Sequence, residues 1–414
     1  MSPRVAITAR SIFPLHGVGG LERHLYELVC HLARAGVQVH VTTRPPTRTN
    51  PRDVPAFASG RIDWSFVPYR TFPFAGRRGT TVIDRSTAYL VFGLRAGARA
   101  AALANAGSVD VVYGHGASVL GYALLKRRGR VSCPLIFNPH GLEEFGGAGQ
   151  SLAKWLAYAP LRAAVRACAR AADRVIATDN AQIPSLCRHL HVPAERVRLV
   201  RNAVDLDACN PAGEVTLGST LRSTLSLPRE GVVLVSAGRL EQNKGFHILA
   251  GSLALLLTNA SLPEWRWVLV GDGPFRSRLE RTIRELKLSD RVRLPGFVPT
   301  EELHGWYRAA DLFVHPTLYE GSSIVTLEAM ARELPVVATR AGGLPDKVLP
   351  GTNGWLVEPG DVDALAGAVS EALRAGPRLA EMGRASRRLV EEQFSWTSAV
   401  GALISAIREV ENRL

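Results

Sequence analysis

One pattern constrains what this chain can fold into more than any other: short apolar runs alternate with helical periods along its whole length. Val5 to Ala9 is the first run. Leu21 to Ala35 follows, with apolar residues at Leu21, Leu25, Leu28, Val29 and Leu32, the spacing of a helix with one buried face. Gly36 ends that helix and Val37 to Thr42 is the next strand. Further strands are expected at Val109 to Tyr113, Leu135 to Asn138 and Arg174 to Ala177, with helices around Leu120 to Arg127 and up to about Ala172. The second half restarts the pattern with Val232 to Ala237 and the helix Phe246 to Leu257. Trp267 to Val270, Arg291 to Leu294, Leu312 to His315, Val336 to Ala338 and Gly354 to Val357 complete it. Strands alternating with helices imply an α/β fold whose parallel sheets are covered on both faces. The chain has 414 residues, enough for two such domains, and the polar stretch Asp205 to Gly218 marks the expected boundary. Ligands of open α/β sheets lie beyond the carboxyl ends of the strands, so chemistry is expected in the loops there.

Composition removes other classes. With 46% hydrophobic and 21% charged residues, the bulk of the chain is not disordered. The most apolar stretch, Phe246 to Leu257, is about a dozen residues, and a membrane span needs about 20. The opening MSPRVAITAR lacks the apolar core of a signal peptide and reads as a first strand. Cys30, Cys133, Cys168, Cys187 and Cys209 are scattered, odd in number and without a C-x-x-C, which fits a reducing cytoplasm rather than a disulfide framework or zinc site. The net charge of +13 is uneven: residues 1–200 hold 26 Lys and Arg against 11 Asp and Glu, and the remainder 24 against 26. A basic half can face nucleic acid, an anionic membrane or an acidic substrate, or be solvated surface.

Three loops carry candidate chemistry. In Glu320-Gly-Ser-Ser-Ile-Val-Thr-Leu-Glu328, Ser322 or Ser323 can cap the following helix, whose start favours an anion such as phosphate. Eight residues at about 1.5 Å rise separate Glu320 from Glu328 by roughly 12 Å, too far for the paired carboxylates of a glycoside hydrolase. The pair suits two acceptors gripping hydroxyls at opposite ends of a ligand with phosphate between them. The alternative is a capped helix with incidental glutamates. In Gly238-Arg239-Leu240-Glu241-Gln242-Asn243-Lys244-Gly245, Arg239 and Lys244 are two cations on one loop after a buried strand, equipment for neutralising a diphosphate leaving group. The turn Gly17 to Gly20 opens the first helix. A dinucleotide fingerprint starting at Gly17 fails because its sixth position is Glu22, although close backbone approach to a ligand stays open.

Taken together, these residues resemble the retaining glycosyltransferases of family 4. The resemblance rests on the E-x7-E element (Glu320, Glu328), GRL-x3-KG (Arg239, Lys244), VGDGP (Gly271 to Pro274), the loop GGLERH and the ending Phe394-Ser395-Trp396, in family order over nearly the whole chain. It implies the GT-B fold: two Rossmann-like parallel-sheet domains facing across a cleft, with the C-terminal helix crossing back to the N-terminal domain. The expected division is an acceptor-binding domain at 1–205, a nucleotide-sugar domain at 206–394 and the returning helix at 395–414.

The resemblance also implies roles. Arg239 and Lys244 would bind the donor diphosphate, Glu328 the nucleotide ribose and Glu320 the sugar hydroxyls, with the amides of Gly321, Ser322, Ser323 and Ile324 nearby. Gly238 and Gly273 belong to the donor loops. The loop Gly296 to Val298 would flank the base, and Gly19 and Gly20 would approach the donor phosphates from the other domain. His140, in Pro-His-Gly, matches the family histidine beside the sugar; the alternative is a buried core histidine. His115 is expected to be structural. Where the family often has Asn-Gly-Val-Asp, this chain has Asn202-Ala203-Val204-Asp205, and alanine tolerates a left-handed turn poorly.

The implied reaction moves a sugar from a nucleotide diphosphate sugar to an acceptor hydroxyl with retention, in the biosynthesis of a polysaccharide, lipid-linked glycan or other glycoconjugate. No cofactor or metal is expected. Of the two Asp-x-Asp pairs, Asp361/Asp363 reads as a helix cap and Asp205/Asp207 lies in the linker. Arg162, Arg166, Arg170 and Arg174 recur every four residues, so most lie along one helix face, and Lys126, Arg127, Arg128 and Arg130 form a second cluster. They point to a cytoplasmic protein docking on an anionic inner membrane face or binding an anionic, lipid-linked or small acceptor. Competing readings are a nucleotide-sugar epimerase or phosphorylase of the same architecture, and a non-catalytic nucleotide-sugar-binding protein. Nucleic-acid binding lacks the aromatic motifs that should accompany the charge.

Overall fold

A computed structural model describes residues 3–17, 19–71, 81–146, 151–207, 212–226 and 231–412. The chain divides into two compact units, residues 1–201 with 396–414, and residues 202–395.

The first unit is built on β1 (Arg4–Thr8), β2 (Gln38–Thr43), β3 (Ile62–Phe66), β4 (Val111–His115), β5 (Leu135–Asn138), β6 (Arg174–Ala177) and β7 (Val197–Leu199). They form one parallel sheet in the order β3-β2-β1-β4-β5-β6-β7. Every residue of β4 and β5 is buried, as expected for central strands covered on both faces. The helix Gly20–Arg34 packs Leu25, Leu28, Val29, Cys30 and Leu32 inward. The helix Trp396–Glu411 belongs to this unit, so the chain leaves the first sheet at β7 and returns after the second is complete. Trp396 stacks on His31 with ring centroids 5.4 Å apart and lies 5.4 Å from His24. Near the other end, Glu409 pairs with Arg174 at 3.1 Å and Arg198 at 2.7 Å.

The second unit contains β8 (Val232–Ala237), β9 (Trp265–Val270), β10 (Val292–Gly296), β11 (Leu312–His315), β12 (Val336–Thr339) and β13 (Gly354–Val357). They pair in parallel in the order β10-β9-β8-β11-β12-β13. All six residues of β8 are buried. Both sheets are therefore doubly wound, and each has a point where the strand order reverses: between β1 and β4 in the first, between β8 and β11 in the second.

Several sequence expectations need correction. The boundary falls after Arg201 rather than Asp205, because Val204 donates its N–H to Phe394 O at 3.0 Å and bridges to Ser395, tying the linker to the second unit. Ala203 is buried and does not adopt the left-handed conformation. β3, β7 and the helix Ala88–Asn105 were not anticipated. The four regularly spaced arginines do not form one solvated face. The helix stops at Ala171, and Arg174 lies buried on β6. Arg162 is also buried, its Nη1 donating to Trp155 O at 2.6 Å and Glu144 O at 3.1 Å. Lys126 pairs with Asp173 at 3.1 Å, whereas Arg127, Arg128, Arg130 and Arg170 are exposed. Four cysteines are free thiols, and Cys209 lies outside the described residues. Among the described residues no helix is long and apolar enough to cross a membrane.

Candidate functional site

The loops after β8 and β11 lie on either side of the second sheet's reversal point, where such sheets bind ligands. Lys244 ends a short turn (Gln242–Lys244) after β8, and Gly245 follows with φ 70°. A Cβ at position 245 would stand 1.9 Å from Pro316 O. Glycine therefore lets the β8 loop press against the end of β11, a contact reinforced by Leu318 N donating to Asn243 O at 2.8 Å. The result is an ion pair between Lys244 Nζ and Glu320 Oε2 at 2.9 Å. His315, the buried last residue of β11, reaches the same oxygen through Nε2 at 2.9 Å. Glu320 Oε1 accepts from the N–H of Gly321 at 3.1 Å. Burial pushes the Glu320 carboxyl up, but the hydrogen bond and charge of His315, followed by Lys244, outweigh it and hold the group down at about 2.

Ser323 caps the helix Ile324–Met330, its Oγ accepting from Thr326 N at 3.4 Å and Thr326 Oγ1 at 2.8 Å. Ser322 and Ile324 are half-buried and Gly321 is exposed. Glu328, within the helix, accepts from Tyr307 Oη at 3.2 Å. Arg239 projects with 70% of its side chain exposed, its Nε 3.0 Å from Glu241. The backbones after β8 and β9 touch: Gly238 donates to Val270 O at 3.0 Å, Leu240 donates to Asp272 O at 3.0 Å, and a Cβ on Gly273 would meet Leu240 O at 2.4 Å. Gly273 thus serves close loop packing that places Arg239. After β10, Val298 is half-buried against the core and Phe297 is 79% exposed, so Phe297 presents the larger open surface. Asp361 Oδ1 caps its helix through Ala364 N at 2.8 Å, and Asp205 Oδ1 accepts from Asp207 N at 3.0 Å.

The first sheet carries a cavity of about 110 Å³ at its own reversal point. Ala9, Arg10 and Ser11 after β1, His115 to Ala117 after β4 and Pro139 to Gly141 after β5 line it, joined by Arg85, Tyr89 and Glu144. His140 sits at φ 59°, its N–H donating to Asn138 Oδ1 at 2.9 Å and its carbonyl accepting from Gln182. Its Nε2 lies 2.8 Å from His115 Nδ1, so one imidazole donates to the other. Desolvation, then His24, pushes His140 down to about 3, and desolvation pushes His24 down to about 4. His115 is lowered well below the usual histidine range by burial and then by the other two rings. All three are neutral at pH 7; His115 and His140 share a hydrogen bond, and His24 packs edge-on against His140 with ring centroids 5.9 Å apart. Gly19 precedes the helix Gly20–Arg34 with ordinary extended torsions. A Cβ at Gly20 would meet nothing within 4 Å, so nothing in the chain's own packing demands glycine there.

The structure thus brings Lys244 and Glu320 into direct contact and places His140 beside the first unit's cavity. Sequence reasoning missed His315, Tyr307, Arg10, Arg85 and Lys347. For His315 a signal existed: a polar ring closing an otherwise apolar strand five residues before Glu320.

Comparison with known proteins agrees with this geometry. Residues 219–389 match the family described as Glycosyl transferases group 1, and residues 18–208 match Glycosyltransferase Family 4. The D-inositol 3-phosphate glycosyltransferase of Mycolicibacterium smegmatis is 31% identical over 97% of this chain and 90% of its own length. The chain belongs to the family 4 glycosyltransferases. D-inositol 3-phosphate glycosyltransferase 2 of Catenulispora acidiphila is likewise 31% identical, over 96% of this chain and 93% of that one. Among solved structures, sucrose-phosphate synthase from Thermosynechococcus elongatus superposes with a TM-score of 0.75 at 23% identity, covering all of both chains. Anabaena Alr3699/HepE in complex with UDP does so with a TM-score of 0.70 at 22% identity, again over both whole chains. The glycosyltransferase has the GT-B fold.

Proposed function

We propose that this glycosyltransferase moves a sugar from a uridine diphosphate sugar to a hydroxyl of a small phosphate-bearing polyol, with retention at the anomeric carbon. The observation that carries the reading is the Lys244–Glu320 contact beside the projecting Arg239, at the reversal point of the second sheet. It sets two cations for a diphosphate next to a carboxylate kept ionised for sugar hydroxyls. Glu328, steadied by Tyr307, is assigned the ribose. The uridine base is chosen because the Anabaena neighbour holds UDP. The acceptor class is chosen because relatives are named for D-inositol 3-phosphate and because Arg10 and Arg85 line the first unit's cavity.

In the proposed step the acceptor oxygen bonds to the anomeric carbon on the face the leaving group departs from. The anomeric C–O bond breaks with its electron pair going to the diphosphate, whose oxygen takes the acceptor proton. Arg239 and Lys244 stabilise the charge that develops there. His140, neutral and held by Asn138, Gln182 and His115, orients hydroxyls rather than supplying a proton. No metal is needed in this scheme.

The test is a thermal-shift screen with UDP, GDP and ADP, then mass-spectrometric detection of product from UDP-sugars with D-inositol 3-phosphate. A ligand that binds only the folded state raises its stability. A UDP shift lost in Glu328→Ala and Lys244→Ala, plus a glycosylated acceptor, is the expected result. Sugar interconversion without acceptor would favour the epimerase, and nucleotide binding without turnover would favour a non-catalytic binder.

A peripheral membrane contact is a second reading, favoured by the short helix Leu152–Ala157. Leu152 is 71% exposed and Leu156 55%, with Trp155 and Lys154 between them. Flotation with anionic liposomes, lost in a Leu152/Leu156→Ser double variant, is expected on that reading. No flotation of the wild type removes it.

A further inference from the structure

Lys347 is fully buried, at 0% exposure, yet carries an ammonium group. Burying such a group is costly unless it is hydrogen-bonded and its charge is used. Its Nζ donates to Ser322 Oγ at 3.2 Å and Gly343 O at 3.1 Å, and it lies 5.6 Å from the centroid of the Phe394 ring. Gly343 N donates to Gly321 O at 2.9 Å. The loop after β12 is therefore bound to the Glu320–Ser323 loop twice, once through backbone and once through this lysine.

The two adjacent serines have different hydrogen-bond roles. Ser323 Oγ turns inward and accepts from Thr326. Ser322 stays half-exposed and accepts from Lys347. A serine hydroxyl has one proton and two lone pairs, and an ammonium has only protons. With Lys347 on one lone pair of Ser322, the serine proton must point away from it.

We infer that Lys347 is a positioning residue for the donor site: it holds Ser322 as a hydrogen-bond donor to the distal phosphate of a nucleoside diphosphate and adds a fixed positive charge behind that hydroxyl. This rests on the donor reading given above. The distal phosphate is chosen because Ser322 lies two residues from Glu320, assigned to the sugar, and six from Glu328, assigned to the ribose. Lys347 is thus a third cation for the diphosphate, acting through Ser322 from the loop after β12, whereas Arg239 and Lys244 follow β8. Low local polarity lets a buried charge act more strongly than a solvated one.

Calorimetric titration of the full-length protein with UDP and UMP tests this, using wild type, Ser322→Ala, Lys347→Met and the double variant. Each single variant is expected to lose on the order of tenfold in UDP affinity and little for UMP, so that the UDP/UMP ratio falls. Because the residues act in series, the double variant should lose no more than the larger single loss. A lysine serving only to pack the loops would lower the melting temperature and weaken both nucleotides alike. That outcome, or a folded Lys347→Met protein with wild-type UDP affinity, overturns the proposal. If Lys347→Met does not fold, Ser322→Ala decides: an unchanged UDP/UMP ratio overturns it. Wild-type protein that binds neither nucleotide overturns the donor reading and this inference together, whereas normal wild-type binding with unaffected variants overturns only the latter.

Discussion

Glu320 keeps its charge although it is largely out of water, because three donors converge on its two oxygens. A carboxyl held at about 2, below its ordinary 4.5, stabilises the fold above pH 4.5, and that contribution is lost as pH falls toward 2. The buried imidazoles act in a separate window. His24 and His140 stay neutral in the fold down to about 4 and 3, whereas the unfolded chain takes up protons below 6.5. Stability is therefore expected to decline in two stages on acidification, first below pH 6.5 and then below 4.5. Urea titrations across pH should show His24→Gln flattening the first stage and Glu320→Gln the second. Unchanged slopes would mean these groups do not govern the response. Arg239, exposed and, among the described residues, paired with Glu241 at 3.0 Å, separates chemistry from folding. Arg239→Ala should leave stability within about 0.5 kcal/mol while kcat falls on the order of 100-fold, the usual effect of removing one charge stabiliser.

At the scale of elements, what brings Lys244 to Glu320 is the backbone at Gly245, with its positive φ and a carbonyl 1.9 Å from any Cβ placed there. Gly245→Ala is expected to cost about 1–3 kcal/mol and to weaken UDP binding as the β8 loop backs off. A variant with wild-type melting temperature and affinity would show that the loop tolerates the shift. Tyr307→Phe should raise the donor KM by about tenfold through loss of its hydrogen bond to the Glu328 carboxylate, with a smaller change in kcat.

The buried strands were legible from sequence because β4, β5 and β8 are apolar on both faces. β3 shows no clean period, Ile62 and Ser65 buried and Asp63 and Phe66 exposed, and β7 has three residues, so neither gives a continuous apolar signal. The Ala- and Gly-rich helix Ala88–Asn105 packs through small side chains that carry little periodic contrast. The loops proposed to hold the donor stood out as candidates because glycine, cations and carboxylates crowd short segments. Lys347 was not, since nothing in Gly-Leu-Pro-Asp-Lys distinguishes a buried lysine from a solvated one. The arginines every fourth residue misled for the same reason. Periodicity reports which residues share a face, and only packing reports which face is buried.

For the molecule as a whole, the proposed reaction uses Arg239 and Lys244, rather than a metal, to offset the charge of the diphosphate. Sugar transfer is therefore expected to survive excess EDTA, and activity abolished by EDTA and restored by Mg²⁺ would sink that assignment. The returning helix has a further bearing. Trp396 stacks on His31 near His24, and Glu409 pairs with the buried Arg174, so the first unit is assembled from both ends of the sequence. On the ribosome its seven strands emerge early, but the helix that closes them is made only after the whole second unit. Until then Arg174 lacks its Glu409 partner, and the first unit waits without its closing helix while the second is made. Vectorial synthesis thus supplies every strand of the second unit before the first receives the helix that closes it.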